Sequence, residues 1–189
     1  MSSHYINLTV LPDAETALPT LLGALYDKVH RALVHQRLAN LGVSFPQYSA
    51  TPRNLGDTLR LHGSEATLRS IVASSWLGGM RDHVRPFDLA SVPAGAQHRN
   101  VRRKQFKTNV ERLRRRRMKR KGETAEQAAL AIPNTAAQAP DLPYIQLRSL
   151  STGQPFCMFI ALGALQPVPE PGLFNTYGLG EQGATVPWF

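Results

Sequence analysis

The sequence contains little of what marks secreted or membrane proteins. Among 189 residues there is one cysteine, Cys157, so an internal disulfide and a zinc site built on cysteines are both excluded. No apolar run approaches the roughly 18 residues that a membrane-spanning helix needs. The first residues also lack the basic and then apolar pattern of a signal peptide. We therefore expect a cytoplasmic protein of a reducing compartment, with no membrane partner.

Acidic residues are few and thinly spread. There are 13 Asp and Glu against 22 Lys and Arg. No two or three of these acids converge at a spacing suited to a two-metal nuclease, and no histidine pair has the spacing of a metal site beside a glutamate. We therefore expect no metal and no small-molecule cofactor. If the protein cleaves RNA, the 2′-hydroxyl of the RNA is the expected nucleophile, assisted by a base, an orienting group and cations for the phosphate.

One stretch, residues 99–121, carries most of the positive charge. It holds 13 Lys or Arg and the single acid Glu111, for a formal charge of +12. The rest of the chain has nine basic and twelve acidic residues, a sum of −3. A polyanion is the expected partner. Nucleic acid is favoured over a membrane surface, because the apolar residues are too few for a membrane-binding face, and a disordered basic arm is the plain alternative.

The second half of this stretch has the signals of a helix at about 109–121. Asn109 is a suitable N-cap, and Lys121 followed by Gly122 is a common way for a helix to end. At about 100° per residue, five cations fall within an arc of about 140° and the apolar residues lie opposite. A helix of this length spans about 18 Å and covers several phosphates of a duplex. The five cations are Arg112, Arg115, Arg116, Lys119 and Arg120.

The first 95 residues have strand and helix patterns in the order β-α-β-β-α-β. This is the order of the ferredoxin-like split βαβ arrangement, which hosts both RNA-binding domains and enzymes. We therefore predict an α+β fold, with a ferredoxin-like (βαββαβ) domain at 1–95 and an α/β arm at 96–189 that carries the arginine-rich helix. The predicted elements of the first domain are strands at 4–11, 41–48, 58–62 and within 84–92, and helices at 18–38 and 64–73.

Across the predicted domain boundary, residues 92–98 are expected to be a linker that leads to the basic stretch. The sequence that begins at Thr124 with TAEQ predicts a capping box and a short helix that Pro133 ends. Strand patterns follow at 144–150 and 156–162, joined by a turn.

Histidines and hydroxyl residues are the candidates for chemistry. His30 lies at the flank of the apolar stripe of the first predicted helix, where a general base would be placed, although an ordinary surface histidine is the simpler interpretation. His35 and His62 have equal claims from the sequence alone. A cluster of hydroxyl residues at a predicted strand end is either part of a site or ordinary turn chemistry. This cluster consists of Ser149, Ser151 and Thr152.

Five blocks of sequence resemble the CRISPR-associated endoribonuclease of the type I-F system. They extend over nearly the whole chain in the order of that family. None of them is specific alone, but the combination is. The blocks are LYDKVHRALV (25–34), GVSFP (42–46), VRRKQFKTNVERLRRRRMKR (101–120), LPYIQLRSLSTGQPF (142–156) and YGLG…VPWF (177–189).

The resemblance implies a fold, a substrate and a reaction. It implies a ferredoxin-like domain with an arm, and binding of the stem-loop of the CRISPR repeat RNA with the arginine-rich helix in its major groove. Cleavage would fall at the 3′ base of the stem, without metal, leaving a 5′-hydroxyl and a 2′,3′-cyclic phosphate. The nuclease would then stay bound to the mature guide RNA and join the other subunits of the type I-F surveillance complex.

The resemblance also implies catalytic roles. His30 would be the general base and Ser149 would hold the 2′-hydroxyl. Ser151, Thr152 and Tyr177 would position the RNA backbone or the histidine.

Further residues would bind RNA according to the same resemblance. Phe156 would stack on the terminal base pair, and Arg103 and Gln105 would read base edges near the bottom of the stem. Position 119 departs from an all-arginine face, because lysine keeps the charge but loses bidentate geometry. The phosphates and the groove would be contacted by Arg112, Arg115, Arg116, Lys119 and Arg120.

Two rival functions remain open from the sequence. One is an RNA-hairpin-binding ribonucleoprotein subunit without catalysis. The other is a DNA-binding regulator that places the basic helix in a B-form groove.

Overall fold

The computed structural model describes residues 2–85, 87–106, 109–136, 139–149 and 152–189. These residues form an α+β fold with four α-helices and antiparallel sheets, which confirms the predicted class. The chain divides into two compact units, Met1–Arg103 with Leu142–Phe189, and Lys104–Asp141. The predicted domain boundary at residue 95 stays a prediction. None of the helices in the described part of the chain is long and apolar enough to cross a membrane.

The larger unit contains all ten strands that the structure describes, apart from the end of the seventh. The strands are β1 (His4–Thr9), β2 (Gly42–Ser44), β3 (Ser49–Ala50), β4 (Arg53–Asn54), β5 (Thr58–Gly63), β6 (Leu89–Ser91), β7 (Gln97–Lys104), β8 (Tyr144–Arg148), β9 (Pro155–Gln166) and β10 (Val186–Trp188). The helices are α1 (Leu18–Gln36), α2 (Glu65–Ala73), α3 (Val110–Lys121) and α4 (Ala125–Ala131).

The first sheet has the strand order β2-β5-β1-β6 and is antiparallel throughout. Side chains alternate along its two central strands, so that Ile6 of β1 lies opposite Leu61 of β5, and both are completely buried. Helices α1 and α2 cover this apolar face. Burying each such side chain contributes about 1.5–3 kcal/mol. The alternation at 4–11 and 58–62 therefore predicted these strands correctly, because one face is apolar.

The opposite face of the first sheet is polar, yet it is also covered. Arg60 is only 8% exposed, and its guanidinium lies 4.0 Å from the centroid of the Phe189 ring. Its Nε donates to Asn7 Oδ1 at 2.8 Å, and its Nη1 donates to the carbonyl of Phe189 at 2.9 Å. These contacts hold Phe189, the residue after β10, against the sheet.

The second sheet has the strand order β10-β7-β9-β8. The linker predicted at 92–98 is wrong in its last two residues, because Gln97–Lys104 is a strand inside this sheet. Val101 is 1% exposed, and the side chain of Asn100 donates to the carbonyl of Ala184 at 2.6 Å. The sequence did not predict this strand because its residues are highly charged. Arg99 is nevertheless partly buried and donates to the carbonyl of Gly163 at 2.6 Å.

Helix α1 approaches β8 very closely at one point. A β-carbon added to Gly23 would lie 2.6 Å from the carbonyl oxygen of Gln146, which is closer than a carbon atom can come. The absence of a side chain at Gly23 therefore fixes the spacing between α1, which carries His30, and β8, which leads to Ser149.

The smaller unit pairs α3 with α4. The side chain of Asn109 accepts a hydrogen bond from the backbone of Arg112 at 2.8 Å, and Gly122 ends α3 in the left-handed region with φ 68°. Thr124 and Gln127 form the capping box that begins α4. Each of these residues was predicted from its local pattern, because caps depend on neighbouring residues alone.

Candidate functional site

A cavity of about 460 Å³ opens in the larger unit. Four separate stretches of chain contribute to it: α1, the end of β7, the β8–β9 turn and the loop that contains Tyr177. None of the lining residues that the structure describes is a carboxylate. Across those described residues, no group of three His, Cys, Asp or Glu is arranged to hold a metal ion. The lining residues are His30, Arg103, Ser149, Thr152, Gln154, Pro155, Phe156 and Tyr177.

His30 is fixed in one orientation within this cavity. Its Nδ1 lies 2.6 Å from the carbonyl oxygen of Thr176, and a carbonyl only accepts, so Nδ1 carries the proton. In the neutral form of the ring, the lone pair therefore lies on Nε2, as a general base requires. The ring also stacks on Tyr177, with centroids 3.9 Å apart and planes inclined by 7°.

The burial of His30 corrects one expectation. The helical pattern placed it at the flank of the core, but it is only 7% exposed. The loop at 175–178 covers this flank, and it lies almost 150 residues away along the chain. Such a contact leaves no trace in the periodicity of the helix.

The loop that holds His30 is itself supported from the core. The hydroxyl of Tyr26 donates to the carbonyl of Tyr177 at 2.8 Å, and Asn175 Oδ1 accepts from the backbone of Tyr177 at 2.9 Å. Gly178 has φ 71° and packs so closely that an added β-carbon would collide with Val43. Burial raises the pKa of Tyr177, so its hydroxyl stays protonated at neutral pH.

Ser149 lies in the turn between β8 and β9. Its backbone N–H donates to the carbonyl of Gln154 at 2.9 Å, and its carbonyl accepts from Gly153 at 2.8 Å. Its Oγ accepts from the backbone of Thr152 at 3.3 Å. The turn thus brings two of the three predicted hydroxyl residues to the cavity. Ser151 lies outside the described residues.

Phe156 and Arg103 form a pair at the same cavity. The Cζ of Arg103 lies 5.7 Å from the centroid of the Phe156 ring, within the range of a cation–π contact. Arg103 is exposed at the end of β7. Gln105 follows two residues later in the smaller unit and is also exposed. The pair combines a flat apolar surface with a cation, which suits a nucleobase and its phosphate.

The structure separates the three histidines that the sequence left equal. His62 is completely buried, with Nε2 at 2.7 Å from Ser44 Oγ, and burial lowers its pKa to about 3. Its Nδ1 has no hydrogen-bond partner among the described residues. His35 is exposed in the last turn of α1. Of the described histidines, His30 alone lines the cavity.

A second feature, here called the cationic face, lies on α3 in the smaller unit. Two arginines of α3 are engaged within that unit instead: Arg114 donates to Glu111 and to the carbonyl of Ile132, and Arg117 pairs with Glu123. All five cations of the predicted arc are exposed to solvent. The cationic face consists of Arg112, Arg115, Arg116, Lys119 and Arg120.

Two residues that support His30 were not found from the sequence. Tyr26 stands one helical turn before His30 in α1, a spacing that places the two on one side of the helix. Its hydroxyl could have been noted there as a buried group in need of a partner. Thr176 acts through its backbone carbonyl, so its residue type carries no signal.

A buried, oriented histidine that shares a cavity with hydroxyl residues, together with a cationic helix, is the combination expected of a nucleic-acid-processing enzyme. The family model described as "CRISPR-associated protein (Cas_Csy4)" matches residues 5–189. The chain is 45% identical over 186 residues to "CRISPR-associated endonuclease Cas6/Csy4" of Pseudomonas aeruginosa (strain UCBPP-PA14), covering 98% of this chain and 99% of that protein. It is 40% identical, with the same coverage, to the protein of that name from Escherichia coli (strain UTI89 / UPEC). The chain therefore belongs to the Csy4 family of CRISPR-associated proteins, and the family suggested by the sequence blocks is confirmed.

Proposed function

We propose that this protein is an endoribonuclease that binds the stem-loop of CRISPR repeat RNA and cleaves the precursor at the 3′ base of the stem. Family membership supports this proposal, and both relatives are named endonucleases. The observation that carries it is the fixed tautomer of His30, whose Nδ1 donates to the carbonyl of Thr176. This leaves Nε2 as a base in a cavity that Ser149 and Arg103 also line.

The proposed reaction uses the RNA as its own nucleophile. His30 Nε2 takes the proton of the 2′-hydroxyl, and the 2′-oxygen attacks the phosphorus. The bond from phosphorus to the 5′-oxygen breaks, and that oxygen takes up a proton. The products are a 2′,3′-cyclic phosphate and a 5′-hydroxyl. Ser149 holds the 2′-hydroxyl, and the guanidinium of Arg103 offsets charge that develops on the phosphate.

No metal has a role in this reaction. Arg103 supplies the cation at the cavity, and the described lining offers no carboxylate ligands for Mg²⁺. Tyr177 keeps the imidazole in place by stacking. Thr152, in the β8–β9 turn, positions the RNA backbone. Ser151, beside Thr152 in the sequence, is proposed for the same role.

The cationic face would supply most of the affinity. The major groove of an A-form duplex is deep and narrow, so its base edges are poorly accessible, but phosphates line both walls. Five exposed cations along one side of α3 suit this surface. Base reading is expected near the end of the stem, where Arg103 matches guanine and Gln105 matches adenine. Phe156 would stack on the last base pair and mark the junction with single-stranded RNA.

The fold and the fate of the product belong to the same proposal. The order β2-β5-β1-β6, with helices after β1 and β5, supports a ferredoxin-like arrangement for the first domain. Because the cut falls at the edge of the stem-loop, the product keeps every feature that the protein binds. It would therefore stay bound and enter the surveillance complex with the other subunits.

The test is cleavage of the cognate repeat hairpin in excess EDTA, beside the same RNA with one 2′-deoxy nucleotide at the cut site. We expect the first RNA to be cut and the second to survive. Tight binding to both RNAs without cleavage of either would instead indicate a hairpin-binding subunit. Effective competition by duplex DNA of the same sequence would favour the DNA-binding regulator.

A further inference from the structure

Two of the described residues that line the cavity of His30 have no role in the proposed function, Gln154 and Pro155. Proline carries no hydrogen-bond donor, whereas the side-chain amide of glutamine has two donors and an acceptor. The backbone N–H of Gln154 lies 3.4 Å from Thr152 Oγ1, but its side-chain amide makes no hydrogen bond to any residue that the structure describes. Gln154 therefore offers the cavity a neutral donor.

The turn between β8 and β9 places Gln154 directly opposite Ser149. The backbone N–H of Ser149 donates to the carbonyl of Gln154 at 2.9 Å, and the N–H of Gly153 donates to the carbonyl of Ser149 at 2.8 Å. Gly153 lies in the left-handed region, with φ 67°. This combination is typical of a β-bulge whose first residue is a glycine. Gly153 is the inserted residue, and Gln154 is the cross-strand partner of Ser149.

The pairing of β8 with β9 indicates the side toward which Gln154 points. Leu147 of β8 lies opposite Phe156 of β9, and side chains alternate between the two faces of a sheet. Ser149 follows Leu147 by two residues and Gln154 precedes Phe156 by two, so these four residues share one face. Side chains directly opposite one another have β-carbons about 4.5–5.5 Å apart. The amide of Gln154 can therefore reach the same substrate group as Ser149.

We propose that the side-chain amide of Gln154 donates a hydrogen bond to a non-bridging oxygen of the scissile phosphate. This inference rests on the proposed function, in which Ser149 holds the 2′-hydroxyl and the attacked phosphorus is joined to the neighbouring 3′-oxygen. Arg103 approaches the phosphate from another strand, β7. The two donors hold the phosphate so that its 5′-oxygen lies in line with the attacking 2′-oxygen. Gln154 is then a catalytic residue, because it contacts a reacting group.

The first test separates cleavage from binding. Gln154→Ala should slow single-turnover cleavage by roughly 10²-fold, with a nearly unchanged Kd for the hairpin that carries a 2′-deoxy nucleotide at the cut site. Gln154→Glu keeps the shape of the side chain, but its carboxylate only accepts hydrogen bonds at neutral pH, so it should cleave more slowly than Gln154→Ala. Gln146→Ala changes an exposed glutamine on the opposite face of β8 and should retain the natural rate.

The second test identifies the contact itself, because a purely structural role in the turn would also slow cleavage. Each phosphorothioate isomer of the scissile phosphate replaces one non-bridging oxygen with sulfur, a weaker hydrogen-bond acceptor. The readout is the ratio of the cleavage rate of the all-oxygen hairpin to that of each isomer. For the natural protein, we expect a ratio of roughly ten for the isomer with sulfur at the contacted oxygen. In Gln154→Ala this ratio should fall close to one, and that of the other isomer should persist.

Two outcomes would overturn this inference alone. One is a natural rate of cleavage in Gln154→Ala. The other is slower cleavage with both sulfur ratios unchanged, which would assign Gln154 to the folding of the turn. Failure of the proposed function gives a different result, since the natural protein would then leave the all-oxygen hairpin uncut in EDTA, and both proposals would be rejected together.

Discussion

The cationic face of α3 and the cavity of His30 are built in opposite ways. The face comes from twelve consecutive residues, and the geometry of one helix aligns its cations. The cavity is assembled from four stretches that are distant in sequence. The face has a single chemical property, positive charge, whereas the cavity combines a histidine, hydroxyls, aromatic rings and an arginine.

This difference teaches what each region tolerates. Coulomb attraction falls off gradually with distance, so a cation that moves by an ångström still attracts a phosphate. Proton transfer requires the base to lie within hydrogen-bond distance of its target, about 2.6–3.2 Å. We therefore expect substitutions in the face to reduce affinity in graded steps, and substitutions in the cavity to reduce cleavage sharply at nearly constant affinity.

The largest expected effect is that of His30→Ala. Loss of the base should slow cleavage of the bound hairpin by roughly 10²- to 10⁴-fold, while hairpin affinity changes little. Single-turnover cleavage and equilibrium binding of the same RNA measure the two quantities. His35→Ala, an exposed change on the same helix, is the matched control. If affinity fell in parallel with cleavage, His30 would be a binding or folding residue and the contrast between the two regions would disappear.

The second effect concerns the cationic face. Arg115→Ala with Arg116→Ala should weaken hairpin binding strongly and lower the dependence of log K on log salt by roughly 0.9 for each lost phosphate contact. Cleavage of RNA that is already bound should be little affected. Arg114→Ala with Arg117→Ala removes the same charge from side chains that are engaged inside the smaller unit. This control should change the salt slope less, and equal slopes for the two variants would mean that the face has no special contact with phosphate.

The third effect is on stability and concerns protonation. The cationic face holds no histidine, whereas the larger unit contains His62, whose pKa burial lowers to about 3. Below the unfolded-state pKa of about 6.5, only the unfolded chain takes up this proton. The free energy of unfolding should therefore decrease as pH falls from about 6.5 toward 3, by up to roughly 1.4 kcal/mol per pH unit.

Urea unfolding at pH 7.5 and pH 5 measures this loss. His62→Gln removes the titrating group and should reduce the pH dependence, while His35→Gln, at an exposed position, should leave it unchanged. A full pH dependence in the His62 variant would assign the effect to another group.

The smallest effect tests the support of the cavity. Tyr26→Phe removes the hydroxyl that donates to the carbonyl of Tyr177 and should cost about 1 kcal/mol of stability. Cleavage should fall several-fold at unchanged affinity, because Tyr177 stacks on His30. Ile71→Val, a core change of similar cost on α2, is a suitable comparison. If both variants cleaved at the natural rate, the loop would not need this support.

The parts of the molecule that the sequence predicted well are local. Asn109 and Gly122 bound α3, and Thr124 with Gln127 begins α4, because a cap depends only on residues within one turn. The strands with one apolar face were found for a related reason, since alternation is visible within six residues. The position of the exposed cations on α3 likewise follows from helical spacing.

The parts that the sequence did not predict depend on distant contacts. Strand β7 carries arginines on both sides and has no apolar alternation, so its place in the second sheet is decided by its neighbours. The burial of His30 requires a loop that arrives from the end of the chain. The roles proposed for His30 and Ser149 came from family resemblance, because no spacing in the sequence places a histidine of α1 beside a turn at 149–154.

Gly23 is a local feature of α1 that controls a distant contact, the approach of α1 to β8. It contacts no RNA in the proposed reaction, yet a single methyl group there would push α1 away from the backbone of β8. His30 and Ser149 would then move apart, because each sits a short way further along one of the two elements. Under the proposed mechanism, the rate of cleavage can thus be adjusted at a position remote from the reacting atoms, through a change in one interatomic spacing. A series of residues of increasing volume at position 23 would measure how far His30 and Ser149 can separate before cleavage stops and only binding remains.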